Sequence, residues 1–288
     1  MSNSIENAVK LLQSEGFPGA HSFLLLIRYA ALTEDKALLK LVGSTLEELS
    51  TMPESAALVY AYAEYYEAAE EEFCRPAAAF LLPRVGREDP MLPLAFAKAA
   101  RVFGREEDLE QAETLLQKTK AAGPFAALAY LELYRATYNG AWLNRAAELA
   151  GEIRAHFHEN FDAKKVYDLA EPSENSAVAL LYDELFRITQ DEKWEQARAA
   201  QNHFVSLLAD RYPSRVSYGL CALLGDEFPD QDRTVICMLP GREQTDEVRA
   251  LLSFYSPLTE IIVVPSCGQE RAGFFFLKKG KLTPIASL

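Results

Sequence analysis

The sequence predicts an all-α fold, a six-hairpin (α/α)6 toroid with a small C-terminal α/β lobe. Three observations lead there. The first is a recurring proline: Pro18, Pro53, Pro90, Pro124, Pro172 and Pro213 lie 35, 37, 34, 48 and 41 residues apart. Each sits before or at the start of an Ala/Leu-rich run. Proline suits a first helical turn, where its missing N–H has no partner to lose, and a period of this size marks a helical array. The second is that two classes of helix alternate. Helices after the prolines are rich in Ala, Leu and Tyr, and the following ones are amphipathic and charged, as an inner and an outer ring require. The third is a change of pattern after Leu224, where short β-branched and aromatic runs replace helical periodicity.

The elements follow in order. Ile5–Leu12 and His21–Leu32 form the first pair. Leu38–Leu49 follows the polar turn Thr33-Glu34-Asp35-Lys36. Then come Ala56–Ala69, Glu70–Leu82, Leu92–Phe103, Asp108–Thr119, Phe125–Thr137 and Trp142–Phe157. An insertion, His158–Glu171, precedes Ser176–Thr189, Trp194–Ala209 and Ser214–Leu224. Apolar residues recur at helical spacing, as in Leu109, Ala112, Leu115 and Leu116. In the tail, Thr234–Leu239, Glu260–Val264, Gly273–Leu277 and Leu282–Ala286 read as strands, with a helix over Thr245–Tyr255. The boundary falls in the acidic stretch Gly225–Asp232, giving a helical domain 1–225 and a lobe 226–288. Val235–Leu239 and Ile261–Val264 are expected as parallel neighbours, covered by Val248, Leu251 and Leu252. An open tetratricopeptide-like solenoid is the alternative architecture.

A net charge of −13 argues against nucleic acid and against anionic membrane surfaces. No apolar run approaches a membrane span, and Met1–Lys10 has no signal-peptide core, so a cytoplasmic location is expected. Cys74, Cys221, Cys237 and Cys267 are widely spaced and read as free buried thiols. His156 and His158 are two apart and share no helical face, so neither metal nor cofactor is expected. No Gly-rich phosphate loop occurs.

Several segments resemble one family. Phe17-Pro-Gly-Ala-His-Ser-Phe-Leu-Leu-Leu-Ile-Arg-Tyr29, continuing to Leu38, is similar to the start of the helical domain in the thioredoxin-domain-containing proteins of the spermatogenesis-associated type. Glu171-Pro-Ser-Glu-Asn-Ser-Ala177, Ile188-Thr-Gln-Asp191 and Tyr255-Ser-Pro-Leu258 resemble later segments of that family. The resemblance implies the six-hairpin toroid shared with many glycosidases and with sugar epimerases of the N-acylglucosamine type. Fold alone licenses no reaction. The departures are informative. The family's thioredoxin-like domain is missing, Leu49–Leu58 stands where the family has a long Gly-rich stretch, and Glu174 replaces a glycine.

In a toroid, the loops leading into the inner helices ring one mouth. Phe17, His21, Glu54, Asp89, Phe125, Glu174, Asn175 and Tyr212 fall there. Glu54 and Glu174 are the candidate catalytic carboxylates, since a pair across a mouth can act as acid and base on a glycosidic bond. As first-turn acids they equally suit the helix dipole. Candidate ligand-binding residues are His21, Tyr62, Tyr66, Asn175 and Tyr212, with Tyr62, Tyr65 and Tyr66 on one stripe that also suits a core. Glu64, Glu67, Glu70, Glu71 and Glu72 read as a solvated face. The functional expectation is a degenerate, non-catalytic glycosidase-like domain that binds a small polar ligand, a carbohydrate among the options. The alternatives are a scaffold for protein contacts, with a thioredoxin-like partner, and an active glycosidase or sugar epimerase.

Overall fold

The computed structural model describes residues 2–16, 19–49, 55–118, 122–156, 166–239, 255–265, 273–278 and 281–285. It is mostly helical, with a small four-stranded sheet at its C-terminal end. The helices are α1 (Ser2–Glu15), α2 (Ser22–Leu32), α3 (Lys36–Leu49), α4 (Ala56–Ala69), α5 (Cys74–Leu81) and α6 (Leu92–Phe103). Then follow α7 (Glu106–Lys118), α8 (Pro124–Thr137), α9 (Gly140–His156), α10 (Glu174–Thr189) and α11 (Glu192–Ala209). The helical part ends in short turns that include α12 (Ser217–Leu220) and α13 (Leu224–Glu227).

The two helix classes are evident in their burial. In α8 every residue from Pro124 to Tyr134 is buried, and in α4 every residue from Ala56 to Tyr65. By contrast, α7 buries only Asp108, Ala112 and Leu116, and α9 only Ala146, Leu149 and Ala150. A helix apolar on most sides lies inside, and one with a single apolar stripe lies outside. The inner helices are neighbours in sequence order: α2 with α4, α4 with α6, α6 with α8, α8 with α10, and α10 with α12. Helix α12 in turn touches α2, where the Ser22 and Ser217 hydroxyls are 3.2 Å apart. At the other end of that join, Gln231 Nε2 donates to the Leu32 carbonyl over 3.1 Å.

Of the recurring prolines, Pro90 lies two residues before α6, Pro124 sits in the first turn of α8, and Pro213 opens a 3-10 turn rather than a long helix. Pro172 precedes Ser173, whose hydroxyl caps α10 by accepting from the Ser176 N–H. Pro18 and Pro53 lie outside the described residues.

Two helix expectations are corrected. Glu70–Leu82 is not one helix: Glu70 takes a left-handed conformation (φ 54°) that ends α4, and α5 begins only at Cys74. Ser214–Leu224 is broken into 3-10 and α turns. Gly219 there lies close against Ser176, so that a Cβ would come within 2.9 Å of its hydroxyl.

The sheet comprises β1 (Arg233–Leu239), β2 (Thr259–Pro265), β3 (Gly273–Lys278) and β4 (Lys281–Pro284), in the order β2-β1-β3-β4. As expected, β1 and β2 are parallel, with Val235 beside Ile261 and Cys237 beside Val263. Alternation divides the strands between two faces. Ile236, Met238, Leu258 and Ile262 belong to the helical core, whereas Val235 and Cys237 form a separate cluster with Phe274 and Phe276. Val248, Leu251 and Leu252 lie outside the described residues.

Candidate functional site

Five of the inner helices, α2, α4, α6, α8 and α10, end alike. A left-handed residue follows each, at Glu34, Glu70, Gly104, Tyr138 and Gln190. In the last four, its N–H bonds to the carbonyl four residues back, over 2.6–2.9 Å. From Glu70 to Gly104 to Tyr138 the spacing is 34 residues, and to Gln190 it is 52. Three and six residues before each of these four comes a charged side chain: Glu64 and Glu67, Lys98 and Arg101, Glu132 and Arg135, Glu184 and Arg187. Arg28 holds the first of these places on α2. Two positions three apart share a helical face, so the repeat aligns these charges from helix to helix.

They join into a continuous chain of ion pairs. Arg28 Nε lies 2.8 Å from Glu64 Oε1, and Glu64 Oε2 lies 2.6 Å from Lys98 Nζ. Lys98 reaches Glu67 at 2.5 Å, and Arg101 meets Glu67 at 2.7 Å and Glu132 at 2.8 Å. Arg135 then collects Glu132 at 3.0 Å, Glu184 at 3.1 Å and Glu260 of β2 at 2.8 Å. A second cluster lies beside it: Asp183 pairs with Arg187 at 2.6 Å and with Arg198 at 3.3 Å, and Asp226 and Asp232 meet the same arginines.

The side chains of the first chain of ion pairs, with Arg187, line a cavity of about 700 Å³ at the C-terminal ends of the inner helices. Its remaining wall comes from Gly104, Arg105, Glu106 and Leu109, and from the segment 255–261 that leads into and forms the start of β2. Tyr255 Oη donates to Glu64 over 2.9 Å, Arg187 donates to the Pro257 carbonyl over 3.2 Å, and Glu260 holds Arg135. Tyr66 and Tyr138 are further lining residues.

The network sets the protonation states. Burial by itself would push the Glu64 carboxyl up; Arg28 and Lys98 overcome it and hold Glu64 well below the ordinary carboxylate value. Glu132 is likewise buried, yet Arg101, Lys98 and Arg135 bring it from 4.5 down to about 2. Asp183, entirely buried, goes the other way: desolvation raises it to about 7 against the pull of Arg187 and Arg198.

The sequence-predicted residues fall elsewhere, with one exception. Tyr66 lines the cavity, its hydroxyl accepting from Arg75 over 2.7 Å. Tyr62 is in the core, donating to the Leu46 carbonyl over 2.8 Å, and Gly43 of the same helix gives Tyr65 room to lie against it. His21, Asn175 and Tyr212 sit at the opposite, N-terminal ends of the inner helices. His21 is fully buried, with no hydrogen-bond partner on either nitrogen among the described residues, and desolvation lowers its pKa against the pull of Asp168. Tyr212 is half-exposed and packs edge-on against Tyr167. Glu174 is exposed in the first turn of α10, and Glu54 lies outside the described residues.

That N-terminal mouth holds a crevice of about 10 Å³, bounded by Asp89, Phe125 and Glu171 among others. It has room for roughly one water. The solvated-face reading of Glu64 and Glu67 is also corrected. Glu64 is 2% exposed and Glu67 one-fifth exposed, because the facing helices present cations to them. The overlooked signal is the 34-residue recurrence of charge pairs near the ends of otherwise apolar helices.

Cys74, Cys221 and Cys237 are free and buried, and burial raises the first two thiols to about 12. No group of three metal-ligating side chains occurs among the described residues. No described helix is long and apolar enough to cross a membrane. Compared with known proteins, the chain matches no family model and no curated protein.

Proposed function

We propose that the helical region closes into an (α/α)6 toroid, and that the cavity at its charged end binds a small polar ligand without transforming it. The contact of α12 with α2 supports closure, since it turns the row of inner helices into a cycle. The observation that carries the binding reading is the cavity itself. About 700 Å³ suits a small molecule, and its walls converge from six helices and a strand.

The charge state of the walls argues against hydrolysis. A glycosidase needs one carboxyl kept protonated as general acid. Here Glu64 and Glu132 are both driven down and held in ion pairs, and the raised Asp183 is fully buried with arginine partners. Screening purified protein by thermal shift against small polar compounds, alongside turnover assays on glycosides and sugars, tests the proposal. We expect ligands that raise Tm and no turnover. Robust turnover abolished by Glu64→Gln, Glu132→Gln or Glu174→Gln would overturn it, as would a screen without a single ligand.

A further inference from the structure

We infer that the ligand of this cavity is uncharged and multiply hydroxylated, an inference that rests on the binding reading above. The argument begins with the way the charges are used. In the chain Glu64–Lys98–Glu67–Arg101–Glu132–Arg135 every carboxylate has cations on both sides, since Arg28 completes Glu64. Lys98, Arg101 and Arg135 likewise each have at least two carboxylates, and Arg28 has Glu64. No member offers an uncompensated charge.

An incoming anion would approach a cation flanked by two carboxylates and be repelled by both; an incoming cation meets the mirror situation. At these distances one extra unit charge is costly wherever water is thin. The hydrogen-bonding capacity of the same groups is not used up. A carboxylate has about four acceptor sites and a guanidinium five donors. A hydroxyl is the group that donates to a carboxylate and accepts from a neighbouring guanidinium at once, leaving the pair intact. Several such hydroxyls on one small frame would match several pairs along the chain, and the rings of Tyr66 and Tyr138 supply flat apolar surface beside them.

The test uses matched probes: glucose, myo-inositol and cellobiose as neutral members, with glucuronate, glucose 6-phosphate and glucosamine as charged ones, followed by calorimetry. The full-length protein should bind a neutral member about tenfold or more tighter than its charged counterparts. Glu67→Gln removes one negative charge from a partly exposed position and leaves Lys98 and Arg101 each one carboxylate short. It should move the glucuronate-to-glucose affinity ratio toward the acid by about tenfold. Arg101→Gln should move the glucosamine ratio toward the cation, and provides the test should Glu67→Gln fail to fold. Tighter binding of a charged probe by the unaltered protein overturns the inference but leaves the binding reading standing. So does a folded variant whose ratio does not move. Failure of every probe, neutral and charged, in calorimetry overturns both.

Discussion

At their N-terminal ends the inner helices use carboxylates to satisfy backbone; at their C-terminal ends they use them to satisfy cations. Asp89 accepts the N–H of Met91 at 2.9 Å and of Ala56 at 3.0 Å, tying the starts of α6 and α4 together. Asp168 does the same for Ser173 at 2.8 Å and Tyr218 at 2.9 Å. Helix N-termini favour anions, so such an end can be stitched shut by short acidic side chains. A C-terminal end favours cations. Arg101, Arg135 and Arg187 stand in last turns; Glu67, Glu132 and Glu184 neutralise the first two, and Asp183 and Asp232 the third. Long side chains keep such an end propped apart. The first end packs down to a crevice, and the second encloses a cavity.

The comparison breaks most easily at Glu64. Glu64→Leu leaves Arg28 and Lys98 buried without their shared partner, and removal of one member of a buried pair costs roughly 3–5 kcal/mol. Urea denaturation should show a loss of that order; a loss under about 1 kcal/mol would mean the chain of pairs contributes little.

Acid should then act on the two ends in different windows. Glu64 and Glu132 have folded pKa values below the unfolded 4.5, so their stabilisation is present above pH 4.5 and is lost as pH falls through the folded values. His21 is depressed below 6.5, so its contribution is present above 6.5 and begins to fall away beneath it. Asp183 opposes His21: raised to about 7 from 3.8, it contributes stability below 3.8 that is lost as pH rises through 7. Differences between variants separate them. Subtracting the His21→Phe stability profile from that of the unaltered protein should leave a component confined below about pH 6.5. Subtracting Glu132→Gln should leave a contribution level above about pH 4.5 that falls only beneath it. Coincident profiles would erase the distinction between the ends.

A smaller effect is expected where the sheet-bearing segment meets the charges. Tyr255→Phe deletes the hydroxyl bound to Glu64 and should cost about 1 kcal/mol. Amide exchange should quicken in β2 before it does in α4; unchanged exchange in β2 would argue that β2 is held by other contacts.

The smallest effect belongs to the helix ends. Glu34 is exposed with φ 55°, a conformation that costs a non-glycine residue about 1–2 kcal/mol. Glu34→Gly should stabilise by a few tenths to about 1 kcal/mol once the greater freedom of unfolded glycine is counted. A loss of stability in chemical denaturation would show that the Glu34 side chain contributes more than its backbone strain.

The sequence made the helices legible because their signals are local. Proline at Pro124, the cap at Ser173 and alternation in Val235–Leu239 each act within a few residues. The site was less legible because burial of Glu64 depends on Arg28, Lys98 and Tyr255, the last 191 residues away. Five glutamates within Glu64–Glu72 look like any solvated face until the facing helices are known. A toroid points to a cavity at the proline-headed ends, where polar loops gather, whereas Asp89 and Asp168 there are consumed as backbone acceptors. What could have been read is the register: charge at a fixed distance before each helix end, repeated at 34 residues.

That register also explains how the chain tolerates unequal hairpins. Between Tyr138 and Gln190 the spacing is 52 rather than 34, yet Glu184 and Arg187 keep the same offsets from Gln190 as Glu132 and Arg135 do from Tyr138. Each charge is counted backward from its own helix end, so length added between α9 and α10 never propagates into the cavity. The part of the connection between those two helices ahead of Val166, clear of Asp168 and the Ser173 cap, is therefore the place to graft a tag, a reporter or a foreign loop while the wiring at the far end stays in phase.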